Sequence, residues 1–177
     1  MKGEGKMKLV VAVDQEWGIG NKGDLLARVR ADLLHFKELT LGKTVILGSN
    51  TLATLPGGKP LKNRKNLVLN PSADYHVEGA TVVHSLDELF VYTEAHPEED
   101  FFVIGGASVY RQLLPFCDVA YVTKFQKSFP KDVYFENLDE STDWVLSETG
   151  QLQTSNKETD LTDDLSFCFT VYKRISR

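Results

Sequence analysis

Short apolar runs rich in β-branched residues recur along the chain, and between them apolar positions fall at helical spacing. The runs at residues 8–14, 43–47, 66–70, 81–83, 101–104 and 120–124 have the length and composition of strands. Helices are predicted over residues 31–39, 50–55, 85–95 and 108–114. The third opens on Ser85 with Glu88 three residues on, which is the spacing of a capping box. Strands alternating with helices in this way are the pattern of a largely parallel sheet joined by crossover helices. After Phe125 the alternation stops. Residues 144–148 and 165–173 read as two strands with a polar, non-helical stretch between them, and such neighbours are most simply antiparallel. The acids of that stretch, Glu158, Asp160, Asp163 and Asp164, are expected at a solvated hairpin tip.

Composition narrows the class. A chain of 177 residues fits one domain and can bury about 70 % of its unfolded surface. Hydrophobic residues at 42 % and charged residues at 25 % are ordinary for a globular protein. Residues 1–7 read as a loose polar extension and residues 8–177 as the single domain. The net charge of -5 excludes a broad nucleic-acid surface. Within this acidic chain the basic stretch Lys59, Lys62, Arg64 and Lys65 suits a small anionic ligand. The two cysteines, Cys117 and Cys168, lie in apolar segments without metal-ligand spacing, so no metal site or disulfide is expected. The early apolar run at residues 9–13 is far short of the roughly 20 residues of a membrane span. A cytoplasmic protein without a membrane partner follows.

Four segments carry candidate chemistry. The loop after the first strand, Asp14-Gln15-Glu16-Trp17-Gly18-Ile19-Gly20, has a G-x-G pair but lacks the third glycine and the following helix of a dinucleotide fingerprint. Asp32 and Phe36 lie at i and i+4 and share a helix face. An acid in a first helical turn is commonly just stabilised by the macrodipole, but one set beside an aromatic ring suits a planar ligand with adjacent NH donors. The strand at residues 101–104 ends in Gly105-Gly106 before a helix, either a tight turn or a place where a phosphate approaches bare backbone. Arg64, ahead of the strand at 66–70, is either exposed or a fork for a carboxylate.

Together and in this order these segments resemble the dihydrofolate reductase family from Lys8 to about Arg174. The matching motifs are Ala12 with Trp17-Gly18-Ile19-Gly20, Asp32-x-x-x-Phe36, Thr44-Val45-Ile46-Leu47-Gly48 with Thr51, Arg64-Lys65-Asn66, Val103-Ile104-Gly105-Gly106 with Tyr110, and Tyr121-Val122-Thr123. The resemblance implies an α/β fold: an eight-stranded, mostly parallel sheet with a C-terminal antiparallel strand, flanked by four helices. It also implies reduction of 7,8-dihydrofolate to tetrahydrofolate by NADPH in a monomer. Asp32 would bind the pteridine's 2-amino group and N3, supported by Thr123. Leu33, Phe36 and Leu55 would line the folate pocket, and Arg64 would pair with the glutamate α-carboxylate. Ala12, Ile19 and Ile104 would flank the nicotinamide and pterin rings. Gly20, Gly48, Ser49, Asn50 and Thr51, with Leu69, Asn70 and His84, would contact the cofactor. So would the turn and helix Gly105, Gly106, Ala107, Ser108, Val109 and Tyr110.

The chain departs from the family pattern in two places. Leu26 and Ala27 stand where a Pro-Trp pair is usual, which predicts a larger or wetter pocket and weaker binding of diaminopyrimidine antifolates. Ser49 and His84 replace an arginine and a lysine near the cofactor's 2′-phosphate, which predicts a reduced preference for NADPH over NADH. The competing readings are a pyrimidine reductase of riboflavin synthesis and a non-catalytic folate-binding module.

Overall fold

The structure is a computed structural model that describes residues 7–158, 160 and 164–175. The six expected N-terminal strands form as β1 (Met7–Val13), β3 (Thr44–Gly48), β4 (Lys65–Leu69), β5 (Thr81–Val83), β6 (Phe101–Gly105) and β7 (Val119–Phe125). They pair in parallel in the order β7-β1-β6-β3-β4-β5. Beyond β7 the last strand, β11 (Ser166–Arg174), runs antiparallel to it. The outer edge of β11 is shared by β9 (Trp144–Thr149), opposite Thr170–Arg174, and β10 (Gln153–Thr154), opposite Ser166 and Phe167. These two pieces fill one position, so the sheet is eight positions wide, as the sequence suggested.

Side-chain alternation along the strands sets up three layers. Leu9, Val11 and Val13 of β1 and Phe101 and Val103 of β6 enter one buried cluster with Leu89, Val109 and Leu113. Val10 and Phe102, one residue out of phase, enter a second with Val45, Leu47 and Leu52. The first face is therefore covered by α3 (Leu86–Ala95) and α4 (Ala107–Leu113). The second is covered by α1 (Arg30–Thr40), through Phe36 and Leu39, and by α2 (Ser49–Thr54).

The local signals acted as expected at α3, where Ser85 Oγ accepts the Glu88 amide at 3.1 Å. Glu88 reaches back one residue further than a capping box requires, accepting the His84 amide at 2.8 Å. Two expectations need correcting. Met7, assigned to the extension, is the first residue of β1, buried and opposite Phe101; residues 1–6 lie outside the described residues. Asp160 does not stand free in a solvated tip: its carboxylate accepts the Arg30 amide at 2.6 Å. Val29, the residue preceding α1, supplies no side-chain cap. An unsatisfied helix-terminal N–H takes any acceptor within reach, and here it comes from a chain segment 130 residues away. Asp163 lies outside the described residues. A small ribbon of β2 (Gly18–Gly20) with β8 (Val133–Tyr134) was not foreseen. Among the described residues no helix is long and apolar enough to cross a membrane.

Candidate active site

In an open parallel sheet, ligand sites form beyond the carboxyl ends of the strands. Ala12, Gly48, Leu69, Ile104 and Thr123 stand at or near those ends, on β1, β3, β4, β6 and β7. Ala12 and Thr123 are register partners on adjacent strands. Over them lies the first turn of α1. Thr123 Oγ1 donates to Asp32 Oδ1 at 2.6 Å, and among the described residues no cation pairs with this carboxylate. Burial pushes the Asp32 carboxyl above the ordinary carboxylate range, against the opposing pull of Thr123. A first-turn macrodipole contributes only about 0.3–1 kcal/mol, while withdrawing a carboxylate from water costs several kcal/mol. The helix end alone does not account for this acid; ring NH donors of a ligand would.

Phe36, Leu55 and Ile104 border one hydrophobic cluster, and Leu33, about half exposed, stands on the open side of α1. At the far end of α1, Arg64 Nη1 donates to Thr40 Oγ1 at 3.2 Å. From residue 32 to residue 40 a helix rises about 12 Å. The structure thus sets a carboxylate and a guanidinium at opposite ends of one helix, with apolar side chains between. Asn66 fixes the segment before β4: its amide group donates to the Leu61 and Arg64 carbonyls, each at 3.0 Å, and its oxygen accepts the Leu61 amide.

The second group of candidates meets where β3 and β6 end. The Gly105-Gly106 peptide is cis, and Gly105 has φ of 125°, which favours glycine. A Cβ on Gly106 would lie 3.0 Å from Thr51 Oγ1, and one on Gly48 would lie 3.1 Å from Val109 Cγ2. The turns carrying Gly48 to Thr51 and Gly105 to Val109 are therefore packed as closely as bare backbone allows, with Ser49, Asn50, Thr51, Ala107 and Ser108 around them. This cradle fits the phosphates of a dinucleotide, whose binding uses amides and hydroxyls. Tyr110 closes its base, with its hydroxyl on the Val10 carbonyl at 2.6 Å; burial pushes that hydroxyl well above its usual range. Ser49, Asn70 and His84 form a chain along the edge: Asn70 Nδ2 donates to Ser49 Oγ at 2.9 Å, and His84 Nδ1 lies 2.9 Å from the Asn70 carbonyl.

Between the two groups runs the loop from Asp14 to Gly20 that carries Ile19. Sequence reasoning missed what holds it. Asp14, 2 % exposed, accepts the amides of Glu16, Gly18 and Phe129 and pairs with Lys131 at 2.8 Å. Lys131, its side chain 5 % exposed, also meets Glu16 at 2.6 Å, and Ser128 donates to the same Glu16 oxygen. Burial would raise the Asp14 carboxyl, but Lys131 and the three amides hold it below the usual range. The two carboxylates in turn raise Lys131. A Cβ on Gly18 would lie 2.0 Å from Lys131 Cδ, so any side chain there would displace the lysine. Trp17 adopts φ of 62°, held by Phe135 and Tyr172. No local motif marks Lys131, because its partners lie more than a hundred residues away. Ala27 is buried with Val29, Phe125, Leu165 and Phe167. Among the described residues no cluster of His, Cys, Asp and Glu is arranged to hold a metal.

A parallel α/β sheet with a glycine cradle and a half-buried acid at its carboxyl edge defines a small nucleotide-cofactor enzyme. The family model described as dihydrofolate reductase matches residues 6–174. The chain is 38 % identical over 152 residues to the dihydrofolate reductase of Bacillus subtilis, covering 85 % of this chain and 88 % of that one. It is 40 % identical over 131 residues to that of Mycobacterium leprae, covering 72 % and 77 %. Dihydrofolate reductase from Enterococcus faecalis, solved in complex with NADP(H) and RAB-propyl, superposes with a TM-score of 0.84 at 32 % identity, covering 98 % of each chain. The chain belongs to the dihydrofolate reductase family.

The Asp14–Lys131 pair yields a direct test. Lys131→Met leaves a buried carboxylate without its cation, a change expected to lower the thermal midpoint by several degrees. Glu16→Gln, on the exposed side of the same lysine, should lower it much less. Equal shifts in thermal melts would show that the buried contact is not what secures the loop.

Proposed function

We infer that the chain reduces 7,8-dihydrofolate to 5,6,7,8-tetrahydrofolate with NADPH, the substrate lying along α1. One observation carries this reading: α1 has the Asp32 carboxylate at one end and the Arg64 guanidinium at the other, about 12 Å apart along the axis. Dihydrofolate presents NH donors at its pteridine edge and carboxylates at its glutamate tail. A ribitylated or phosphoribosylated pyrimidine has no tail carboxylate for Arg64, and a mere folate-binding module would have no need of the glycine cradle. The enzyme is read as one domain, monomeric and cytoplasmic, with small-molecule partners and no nucleic-acid or membrane partner.

In this reading Asp32 accepts hydrogen bonds from the 2-amino group and N3, and Thr123 orients the carboxylate. Phe36, Leu33 and Leu55 line the ring and benzoyl portions, and Ala12 and Ile104 press the ring from the sheet side. The cradle from Gly48 to Thr51 and from Gly105 to Tyr110 holds the cofactor's phosphates, with Leu69, Asn70 and His84 toward its adenosine and Ile19 and Gly20 toward its nicotinamide. When bound, NADPH supplies the hydride for C6. The chain's own contribution is alignment, which can remove several kcal/mol of the barrier. N5 must gain a proton, and Asp32 binds the opposite edge of the ring, so water is the donor. The carboxylate favours that protonation through its charge.

Three measurements check this reading. Purified protein given dihydrofolate should oxidise NADPH, and Asp32→Asn should slow turnover at neutral pH by about a hundredfold or more. The same change should leave the thermal midpoint equal or higher. An acid whose folded pKa is raised loses stability as pH climbs through and above the carboxylate range, and the amide removes that loss. Unchanged turnover would place the essential acid elsewhere.

The ratio of kcat/KM for NADPH over NADH should be modest, because Ser49 and His84 bring no fixed charge to a 2′-phosphate. Ser49→Arg should raise it about tenfold. A strong NADPH preference in the unaltered chain would mean that other side chains supply the charge.

Diaminopyrimidine inhibitors should bind more weakly than to relatives with tryptophan at the Ala27 position. Inhibition constants equal to those of such relatives would remove this expectation.

A further inference from the structure

Thr40 has no role in the reading above, yet it joins the last turn of the substrate helix to Arg64. It closes α1 and is completely buried. Its Oγ1 donates to the Phe36 carbonyl at 2.8 Å and accepts Arg64 Nη1 at 3.2 Å. A hydroxyl has one proton and two lone pairs, so committing the proton to Phe36 leaves only acceptor capacity toward the arginine. Bonding back to the carbonyl four residues earlier is common for threonine in helices. That habit explains the first bond and not the second.

Arg64 is constrained from a second side, since its Nε donates to the Lys62 carbonyl at 2.9 Å. Of the five guanidinium hydrogens, one on Nε and one on Nη1 are thus engaged. The remaining three lie on Nη1 and Nη2, the end-on fork that matches a carboxylate. An arginine free to sample its rotamers would lose entropy on gripping a ligand, and one already held loses less. Burial draws the Arg64 guanidinium down from its usual range, consistent with a side chain laid against the protein.

We propose that Thr40 is a positioning residue: its buried hydroxyl, fixed by Phe36, holds Arg64 so that the Nη1/Nη2 edge meets the α-carboxylate of the substrate's glutamate tail. This rests on the reading of Arg64 as the partner of that tail. Thr40 does not touch the substrate, and it ties recognition of the tail to the helix that carries Asp32 and Phe36.

The experiment compares kcat/KM for 7,8-dihydrofolate with that for 6-methyl-7,8-dihydropterin, which has the same reacting ring and no tail. The ratio of the two values isolates tail recognition. Thr40→Val keeps the shape and removes the hydroxyl; it should lower the ratio about tenfold, through KM for dihydrofolate. Thr40→Ser, which restores the hydroxyl, should return most of the ratio. Arg64→Leu should lower it at least as far, and adding Thr40→Val to Arg64→Leu should lower it no further. Should the valine variant not fold, Thr40→Ala serves in the same comparison. If Arg64→Leu lowers the ratio while Thr40→Val leaves it at the native value, or if Thr40→Val depresses both substrates alike, the proposal is overturned and the Arg64 reading stands. If Arg64→Leu itself leaves the ratio unchanged, the Arg64 reading falls and the proposal with it.

Discussion

The half-buried carboxylate of Asp32 is the constraint around which the rest of this molecule is arranged. It has the Thr123 hydroxyl and, among the described residues, no cation beside it, so the protein keeps an acid in a poor environment that a ligand's NH donors would improve. Keeping it there requires α1 to cross the sheet above β7 and β1 at a fixed height. Thr123 can reach Asp32 only because β7 lies next to β1, which places it opposite Ala12. The parallel order of the sheet therefore decides which side chains surround the acid.

Both ends of α1 are held by distant parts of the chain. Asp160 accepts the Arg30 amide at the start, where the local sequence offers no cap. At the other end the Gly42 amide donates to the Asn63 carbonyl at 2.8 Å, and Thr40 meets Arg64. A helix secured at both ends keeps a constant separation between its terminal groups. That suits it to measure a substrate with different chemistry at its two ends.

On the opposite side, the cofactor candidates depend on close approach rather than on charge. The Gly48 and Gly106 turns leave little room for a Cβ against Val109 and Thr51, and the loop carrying Ile19 is anchored through Asp14 and Lys131. A buried ion pair contributes little net stability against a well-packed apolar pair, but losing one partner is costly. Here the pair ties the loop after β1 to the segment before β8, beside the packing of Trp17 on Phe135 and Tyr172.

Much of the architecture was legible from residue order. Alternation of apolar faces gave the six parallel strands and the four helices within a residue or two, because period 2 and period 3.6 are local properties of a chain that must bury one face. Ser85 with Glu88, and the strand ending in Gly105-Gly106, were likewise local signals. The strand at 144–148 lying antiparallel to the last strand was legible too, whereas the short β10, the β2–β8 ribbon and the start of β1 at Met7 were not, since short or polar strands acquire their pattern only from a partner. Asp32, Arg64 and the glycine turns could be picked out as candidates by type and spacing. That Asp32 has no cation beside it among the described residues, that Lys131 is buried between Asp14 and Glu16, that Asp160 caps α1 and that Thr40 grips Arg64 were decided by tertiary structure alone. Hydrogen bonds and ion pairs between segments a hundred residues apart leave no periodicity in a sequence, and burial, which sets the cost of an unpartnered charge, exists only once the chain has folded.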